Sequence, residues 1–327
     1  MKLRLRSVIL FFLALASLPA RGQFFRSVDD WLRGMQEKQP YDTTYIFRPQ
    51  ERWLIRERTK FSAESLRMLV LSEDGQSYGA AVADGGSFKQ SIGVGYRSIA
   101  LDIGTNLSAV KTGLGYDLNV FGNRIVFKHN FRFSYGMTGQ AYSGTQELAV
   151  KAKDLAVLNV SAGAYYAFNG KRFSMPAALN QNFRQLKSAG SLLATIDARA
   201  IGLFIPEPET LGIPMDYSYM FILGLGGGYG YNWVPSEHWL IHLSLTGTVG
   251  FLKATGLSLT GRELIENAAG PPIIMTKGTA AVLYYVGNWY FGLFADGDSL
   301  TGFTTDDVTF FLRRVNANAS LTAGVRF

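Results

Sequence analysis

The last fourteen residues of the chain, Arg314 to Phe327, read RVNANASLTAGVRF. Every second residue is apolar: Val315, Ala317, Ala319, Leu321, Ala323, Val325 and Phe327. The residues between them are polar or glycine. Successive side chains of a strand point to opposite faces, so the pattern predicts a strand with one apolar and one polar face. Its length exceeds that of an ordinary strand and fits one that crosses a membrane at a tilt.

The same alternation recurs along the chain. It is clear at 88–97, 125–135, 156–168, 192–200, 219–231 and 238–251, and weaker at 60–72, 98–107, 113–121, 277–286 and 288–296. A soluble sandwich also alternates, but here the polar face is small and rich in glycine while the apolar face is continuous. We therefore predict an all-β fold: a transmembrane antiparallel β-barrel of about 12 strands, within a range of about ten to fourteen.

The connections between these strands alternate in length. Short periplasmic turns are predicted at 97–98, 122–123, 232–237 and 287–288, and long extracellular loops at 73–87, 106–112, 137–154, 204–217, 252–276 and 297–313. Aromatic residues beside the short turns predict a girdle at the membrane interface. They are Tyr96, Phe121, Phe168, Tyr231, Trp233, Trp239, Tyr285 and Trp289. Phe327 ends the last strand and is predicted to act as the assembly signal.

The first 22 residues have the order of a Sec signal peptide. Lys2, Arg4 and Arg6 precede an apolar run from Val8 to Leu18, and small residues then precede Gln23. The apolar run is too short for a membrane anchor. A secreted chain of this composition points to the outer membrane of a Gram-negative bacterium. Without the signal the net charge falls from +7 to +3, which gives no reason to expect nucleic-acid binding.

The absence of cysteine excludes a lipoprotein, disulfide bonds and thiolate metal sites. The mature chain divides into a periplasmic N-terminal segment, 23–52, and the barrel, 53–327. Ser27 and Asp30 have the spacing of a helix cap, so the first segment is predicted to contain a short amphipathic helix. The stretch 169–190 is too long for a periplasmic turn and is interpreted as a plug, a docking surface or a surface helix.

Charged residues on the polar strand faces are candidates for lining the lumen. They are Lys89, Arg97, Asp102, Asp117, Lys128, Arg132, Asp197, Arg199, Arg314 and Arg326. These charges would bias an open pore toward anions. The alternative is a filled lumen whose buried charges are paired with one another.

Catalysis and metal binding have little support in the sequence. His242 and Ser244 share a strand face, as in outer-membrane phospholipase A, but Leu245 and Thr246 follow where that enzyme has Asn-Gly. The residue expected to orient the histidine is therefore missing. We accordingly expect no enzyme activity, no metal and no cofactor.

Three motifs resemble an outer-membrane barrel family of the Bacteroidota catalogued as domain of unknown function 4421. They are Tyr41-Asp42-Thr43-Thr44-Tyr45-Ile46, Arg172-Phe173-Ser174-Met175-Pro176-Ala177-Ala178 and Lys187-Ser188-Ala189-Gly190-Ser191. The resemblance covers nearly the whole mature chain. It implies an outer-membrane barrel and carries no functional residue with it.

The leading functional hypothesis is a passive or selective channel for small solutes. The alternative is a structural or accessory subunit of an outer-membrane complex, and a membrane-embedded lipid hydrolase is a distant third. The expected partners are outer-membrane lipid, the barrel-assembly machinery during insertion, and a periplasmic or outer-membrane protein.

Overall fold

The computed structural model describes residues 40–71, 77–107, 113–151, 154–205, 207, 215–259, 262–267, 272–305 and 309–327, with Ser27, Asp30 and Gly34. The chain forms two compact units, Met1–Pro40 and Tyr41–Phe327. In the first unit Ser27, Asp30 and Gly34 are helical, and Pro40 is not. The predicted signal peptide, 1–22, and most of the predicted N-terminal helix lie outside the described residues. None of the described helices is long and apolar enough to cross a membrane.

The second unit is a closed barrel of twelve antiparallel strands, as the alternation predicts. In wall order the strands are β2 (Trp53–Leu71), β4 (Ser87–Tyr96), β5 (Ile99–Asn106), β6 (Gly113–Phe121), β7 (Ile125–Tyr135), β10 (Ala156–Ala167), β12 (Ala189–Phe204), β13 (Met215–Ser236), β14 (Trp239–Leu259), β16 (Ile273–Val286), β17 (Trp289–Thr305) and β18 (Thr309–Arg326). The barrel closes where β18 pairs with β2, from Thr309 opposite Leu71 to Arg326 opposite Leu54. A short strand, β15 (Arg262–Asn267), extends β14.

Burial in the wall is the inverse of burial in a soluble protein. On β18 the polar residues Asn316, Asn318 and Thr322 are buried, whereas Leu321 keeps 64% of its surface exposed. On β14, likewise, Leu243 and Leu245 are exposed. A sandwich would bury these leucines, so the exposed apolar face is explained by lipid around the barrel.

Short turns join the strands at one end of the barrel, at Arg97-Ser98, Glu237-His238 and Gly287-Asn288. In outer-membrane barrels this end faces the periplasm. Exposed aromatic side chains ring the same end: Phe168, Tyr231, Trp233, Trp239 and Trp289, with the Tyr96 ring packed at a tilt against Trp53, 4.5 Å between ring centroids. The prediction of the girdle is wrong for two residues. Phe121 and Tyr285 point inward and are buried, because an internal segment packs against them.

The predicted extracellular loops 252–276 and 297–313 are largely strand, because β14 to β18 extend into them, and the predicted loops 73–87 and 137–154 contain three separate strands. β3 (Ser77–Ala83), β8 (Thr138–Gly144) and β9 (Gln146–Val150) pair in that order and join the wall through β2. Their apolar side chains form one buried cluster with the inward faces of β12, β13, β16, β17 and β18. We call β3, β8 and β9 the lid, because this cluster fills the extracellular end of the lumen. These strands were predicted as loops because the sequences 73–87 and 137–154 are largely polar.

The periplasmic end of the lumen is filled by two segments that we call the plug, residues 41–47 and 169–188. A two-stranded sheet, β1 (Ile46–Phe47) with β11 (Arg184–Gln185), joins them. The plug contains one short helix, α1 (Met175–Leu179), capped by Ser174, whose Oγ accepts a hydrogen bond from the Ala177 backbone nitrogen at 3.2 Å. Of the three interpretations of 169–190, the structure therefore selects the plug.

Candidate functional site

A polar chamber of about 170 Å³ lies in the lumen between the plug and the lid. The residues along the inward face of β2 contact the plug, the chamber and the lid in turn. Leu54 packs with the plug, Arg58 and Lys60 face the chamber, and Leu66 belongs to the cluster beneath the lid. Leu179 of the plug also lines the chamber.

Basic side chains outnumber acidic ones around the chamber. Eight basic residues line it, Arg56, Arg58, Lys60, Lys128, Arg132, Arg199, Lys277 and Arg314, against four acidic ones, Asp102, Asp117, Asp296 and Asp298. Water is scarce inside a small enclosed space, so charges there are screened less than on a surface. The chamber therefore favours an anion.

The acidic groups are already engaged by wall residues. Asp102 accepts a hydrogen bond from Arg56 Nε at 2.7 Å and makes a second bond with the same guanidinium. Asp298 accepts from Arg314 Nη1 at 2.7 Å and also pairs with Arg199. These pairs fix the side chains and neutralise part of the basic charge.

Five basic side chains of the chamber are not neutralised in this way, and two of them, Arg58 and Lys277, instead donate hydrogen bonds to Thr322 and Tyr165. Lys60 on β2 and Lys128 and Arg132 on β7 form no ion pair with any residue that the structure describes. Lys128 Nζ instead lies 5.5 Å from the centre of the Tyr165 ring. Enclosed charges normally have partners, so these three cations form the strongest candidate binding site for an anion.

Six of the charged residues predicted from sequence line the chamber: Asp102, Asp117, Lys128, Arg132, Arg199 and Arg314. Lys89 lies just above it, in a neighbouring cavity. Asp197 is buried in the wall, where it accepts a hydrogen bond from Thr248 Oγ1 at 3.2 Å. Arg326 lies at the level of the plug and donates to the Gln181 carbonyl.

The placement of Arg97 on a lumen-facing strand is wrong. Arg97 occupies the turn after β4 with a φ of 48°, and its guanidinium lies over the Tyr96 ring. Sequence reasoning also missed Arg56, Arg58, Lys60 and Lys277. The first three alternate on β2, but Glu57 stands on the opposite face and obscures the pattern.

Hydrogen bonds anchor the plug to several wall strands. Asn180 Oδ1 accepts from Arg56 Nη1 at 2.9 Å, and Tyr285 Oη donates to the Ala177 carbonyl at 3.1 Å. Phe173 and Phe183 are fully or almost fully buried against the wall. All three motifs that carry the family resemblance lie in the plug or at its junction with β12.

The Asp42 turn secures the N-terminal part of the plug. Asp42 Oδ1 accepts hydrogen bonds from Thr44 Oγ1 at 2.7 Å and from the Thr44 backbone nitrogen at 3.0 Å. Because both bonds favour the charged carboxylate, they hold the pKa of Asp42 below its usual range. Arg172 lies 3.6 Å away and joins this turn to the second plug segment.

A serine, a histidine and an asparagine are aligned beside the plug. His242 Nε2 lies 3.0 Å from Ser244 Oγ, and His242 Nδ1 lies 2.7 Å from Asn232 Oδ1. Asn232 on β13 thus supplies the orienting group that the sequence seemed to lack, because strand pairing places it opposite His242. Asn232 Nδ2 also donates to the Ser174 carbonyl at 2.9 Å, so the same chain of bonds anchors the plug.

The sequence profile of the family described as "Domain of unknown function (DUF4421)" matches residues 40–327. No curated protein matches the sequence. Solved structures with a similar fold are barrels. OmpT, an outer membrane protease from Escherichia coli, is 9% identical with a TM-score of 0.43 over 85% of this chain and 97% of its own.

Two further barrels are similar at lower TM-scores. The translocator domain of the autotransporter NalP from Neisseria meningitidis is 10% identical with a TM-score of 0.41, over 94% of this chain and 95% of its own. The toluene transporter TodX from Pseudomonas putida is 7% identical with a TM-score of 0.30, over 85% of this chain and 90% of its own.

The expectation that the chain is not an enzyme is corrected by this comparison. The barrels that share its fold include a protease, so an outer-membrane barrel architecture does not exclude catalysis. The missing orienting residue was the second ground for that expectation, and Asn232 removes it.

Proposed function

The chain belongs to the DUF4421 family, and we propose from the geometry of its lumen that it is a selective outer-membrane channel for small anions. The observation that carries the proposal is the chamber in which Lys60, Lys128 and Arg132 have no ion-pair partner among the described residues. An anion held there would replace the water that these cations lose on burial. The plug and the lid fill the two ends of the lumen, so this structure represents the closed state.

Anion binding is tested by titrating inorganic phosphate into the refolded barrel in a calorimeter. We expect the double variant Lys60→Gln/Arg132→Gln to bind phosphate at least tenfold more weakly, because each lost charge-assisted hydrogen bond contributes about 1.5–3 kcal/mol. The matched control is Lys171→Gln, which removes a charge from an exposed plug residue. Equal phosphate affinity in the wild type, the double variant and Lys171→Gln, or no phosphate binding by the wild type, would contradict the proposal.

The same proposal places the protein in the outer membrane of a Gram-negative bacterium of the Bacteroidota, after export by the signal peptide at 1–22. Lipid-facing leucines such as Leu243 and Leu321 support the membrane location. Fractionation of the native host, with the mature N-terminus sequenced, tests both the location and the cleavage before Gln23.

A second candidate function, ester hydrolysis, is favoured by the alignment of Ser244, His242 and Asn232. The Ser244 hydroxyl would attack the ester carbonyl and pass its proton to His242 Nε2, which returns it to the leaving alcohol; water would then release the acyl group. The Phe173 ring lies 6.2 Å from that of His242, so a substrate requires movement of the plug. Release of p-nitrophenol from p-nitrophenyl butyrate that Ser244→Ala abolishes would support this candidate, and equal rates would remove it.

A further inference from the structure

The two-stranded sheet of the plug has one buried face and one outward face. Ile46 and Gln185 pair with each other across this sheet, and both are almost fully buried. Neighbouring residues of a strand point to opposite faces, so the residues on either side of this pair share the outward face, at the periplasmic mouth of the barrel. They are Tyr45, Phe47, Arg184 and Leu186.

Two large apolar side chains are exposed on the outward face. Phe47 keeps 48% of its surface exposed, and Leu186 keeps 43%. The bilayer does not cover them, because they lie within the mouth of the barrel whereas lipid surrounds the outside of the wall. Single exposed apolar residues are common on proteins, so these two gain significance from the charges that lie beside them.

The plug carries an excess of positive charge at this face. Its two segments contain one acidic residue, Asp42, and four basic ones, Lys171, Arg172, Arg184 and Lys187. The Arg172 guanidinium lies 5.0 Å and the Lys187 ammonium 5.6 Å from the centre of the Tyr45 ring. Lys171 and Lys187 form no ion pair with any residue in the described part of the chain. The outward face therefore combines exposed apolar groups with basic charge that is not neutralised.

Hydrogen bonds behind the outward face hold its backbone in place. Gln185 Nε2 donates to the Arg172 carbonyl at 2.6 Å and to the Lys187 carbonyl at 2.9 Å. Gln185 Oε1 accepts from Asn232 Nδ2 at 3.0 Å, which ties the same side chain to wall strand β13. A surface that is fixed before binding loses little conformational entropy when a partner docks on it.

We propose that the outward face of the plug docks an acidic segment of a periplasmic protein, in which apolar side chains stand between the carboxylates. The carboxylates pair with Lys171, Arg172 and Lys187, and the apolar side chains cover Phe47 and Leu186. Complementary charge steers such a partner to the face and disfavours others. A second copy of the chain fits poorly, because two basic faces repel each other. The plug thus fills the lumen on its inner side and binds a protein on its outer side.

The test measures the fluorescence anisotropy of a fluorescein-labelled decapeptide, EDLEDFEDLE, as the full mature chain in phosphatidylcholine nanodiscs is added. Empty nanodiscs are the blank. We expect saturable binding that weakens as the NaCl concentration is raised, because salt screens exposed charges. The peptide EDSEDSEDSE has the same charge and no large apolar side chain. It should bind at least tenfold more weakly, because it buries no apolar surface against the plug.

Two double variants separate the apolar and the charged contributions. Phe47→Ser/Leu186→Ser keeps the charge of the face and should weaken binding of EDLEDFEDLE at least tenfold. Lys171→Glu/Lys187→Glu should weaken it at least tenfold as well, whereas Lys171→Arg/Lys187→Arg should bind as the wild type does. The matched control is Lys151→Glu, which reverses the charge of an exposed lysine next to the lid, at the other end of the barrel. Heat-modifiable gel mobility checks that each variant folds, and the comparison of the two peptides needs no variant.

Several results would overturn the proposal. No binding of EDLEDFEDLE by the wild type would do so, and so would equal binding of the two peptides, which would show non-specific attraction of negative charge. Equal binding by empty nanodiscs would assign the peptide to lipid. Binding that requires deletion of residues 23–38 would assign the face to the N-terminal segment of the chain itself. Self-association of the wild type that Phe47→Ser/Leu186→Ser abolishes, measured by sedimentation, would assign the face to a second copy.

Discussion

At the scale of single residues, the stability of this barrel depends on charged side chains that are buried in the lumen. Arg56 and Asp102 are each about 3% exposed, and Arg56 also reaches the plug through Asn180. A buried ion pair adds little net stability, but loss of one member leaves an uncompensated buried charge. Arg56 is therefore expected to matter more for folding than Lys60, Lys128 and Arg132.

The first prediction concerns this pair. Arg56→Met should destabilise the barrel by about 3–5 kcal/mol because Asp102 stays buried without its partner. Urea unfolding in lipid vesicles, followed by heat-modifiable gel mobility, measures the effect. The double variant Arg56→Met/Asp102→Asn should recover most of the loss. A single variant as stable as the wild type would show that the pair is dispensable.

At the scale of elements, the plug fills the periplasmic end of the lumen, as the lid fills the extracellular end. Its helix α1 is too short to be stable alone, so the wall contacts of Ala177 and Asn180 hold it in place. The chamber lies directly behind it. Motion of this one element would connect the chamber to the periplasm while the barrel wall stays intact.

The second prediction follows from these anchors. Tyr285→Phe combined with Asn180→Ala should loosen the plug and raise the ionic conductance of the barrel, because two of its wall bonds are lost. Planar-bilayer recording measures the change. The control is Tyr284→Phe, a tyrosine next to the first one, at an outward-alternating position. Unchanged conductance with a protease-sensitive plug would show that the lid is sufficient to keep the lumen closed.

The strands of the barrel wall are easier to predict from sequence than the lid and the plug inside the lumen. Alternation reports which face of a strand a residue occupies, and lipid outside makes that signal strong on β14 and β18. The lid and the plug contain short strands and a five-residue helix, whose periodicity is too brief to recognise. Asn232 was missed because it meets His242 only through the pairing of two strands.

The whole molecule depends on the seam between its first and last wall strands. Phe327 and Trp53 exchange two backbone hydrogen bonds, of 3.1 and 3.0 Å, at the periplasmic end of β18 and β2. An open seam would expose strand edges to lipid, where no water satisfies them. The terminal residue thus contributes to closure as well as to the predicted assembly signal.

The third prediction is that deletion of Phe327 lowers the outer-membrane level of the protein severalfold, because closure and recognition by the assembly machinery are both impaired. Immunoblots of separated membranes measure the level. Phe327→Tyr, which keeps the backbone and an aromatic ring, is the control. If deletion leaves the outer-membrane level unchanged, Phe327 is needed neither for closure of the barrel nor for recognition by the assembly machinery.

The central claim, that the chamber is a path for anions, is tested most directly by the reversal potential of the barrel with the loosened plug in a KCl gradient. The account predicts discrete current steps that reverse near the chloride equilibrium potential, and loss of this selectivity in Lys60→Gln/Lys128→Gln/Arg132→Gln. Reversal near the potassium equilibrium potential, or a current as anion-selective in the triple variant as in the parent barrel, would contradict it.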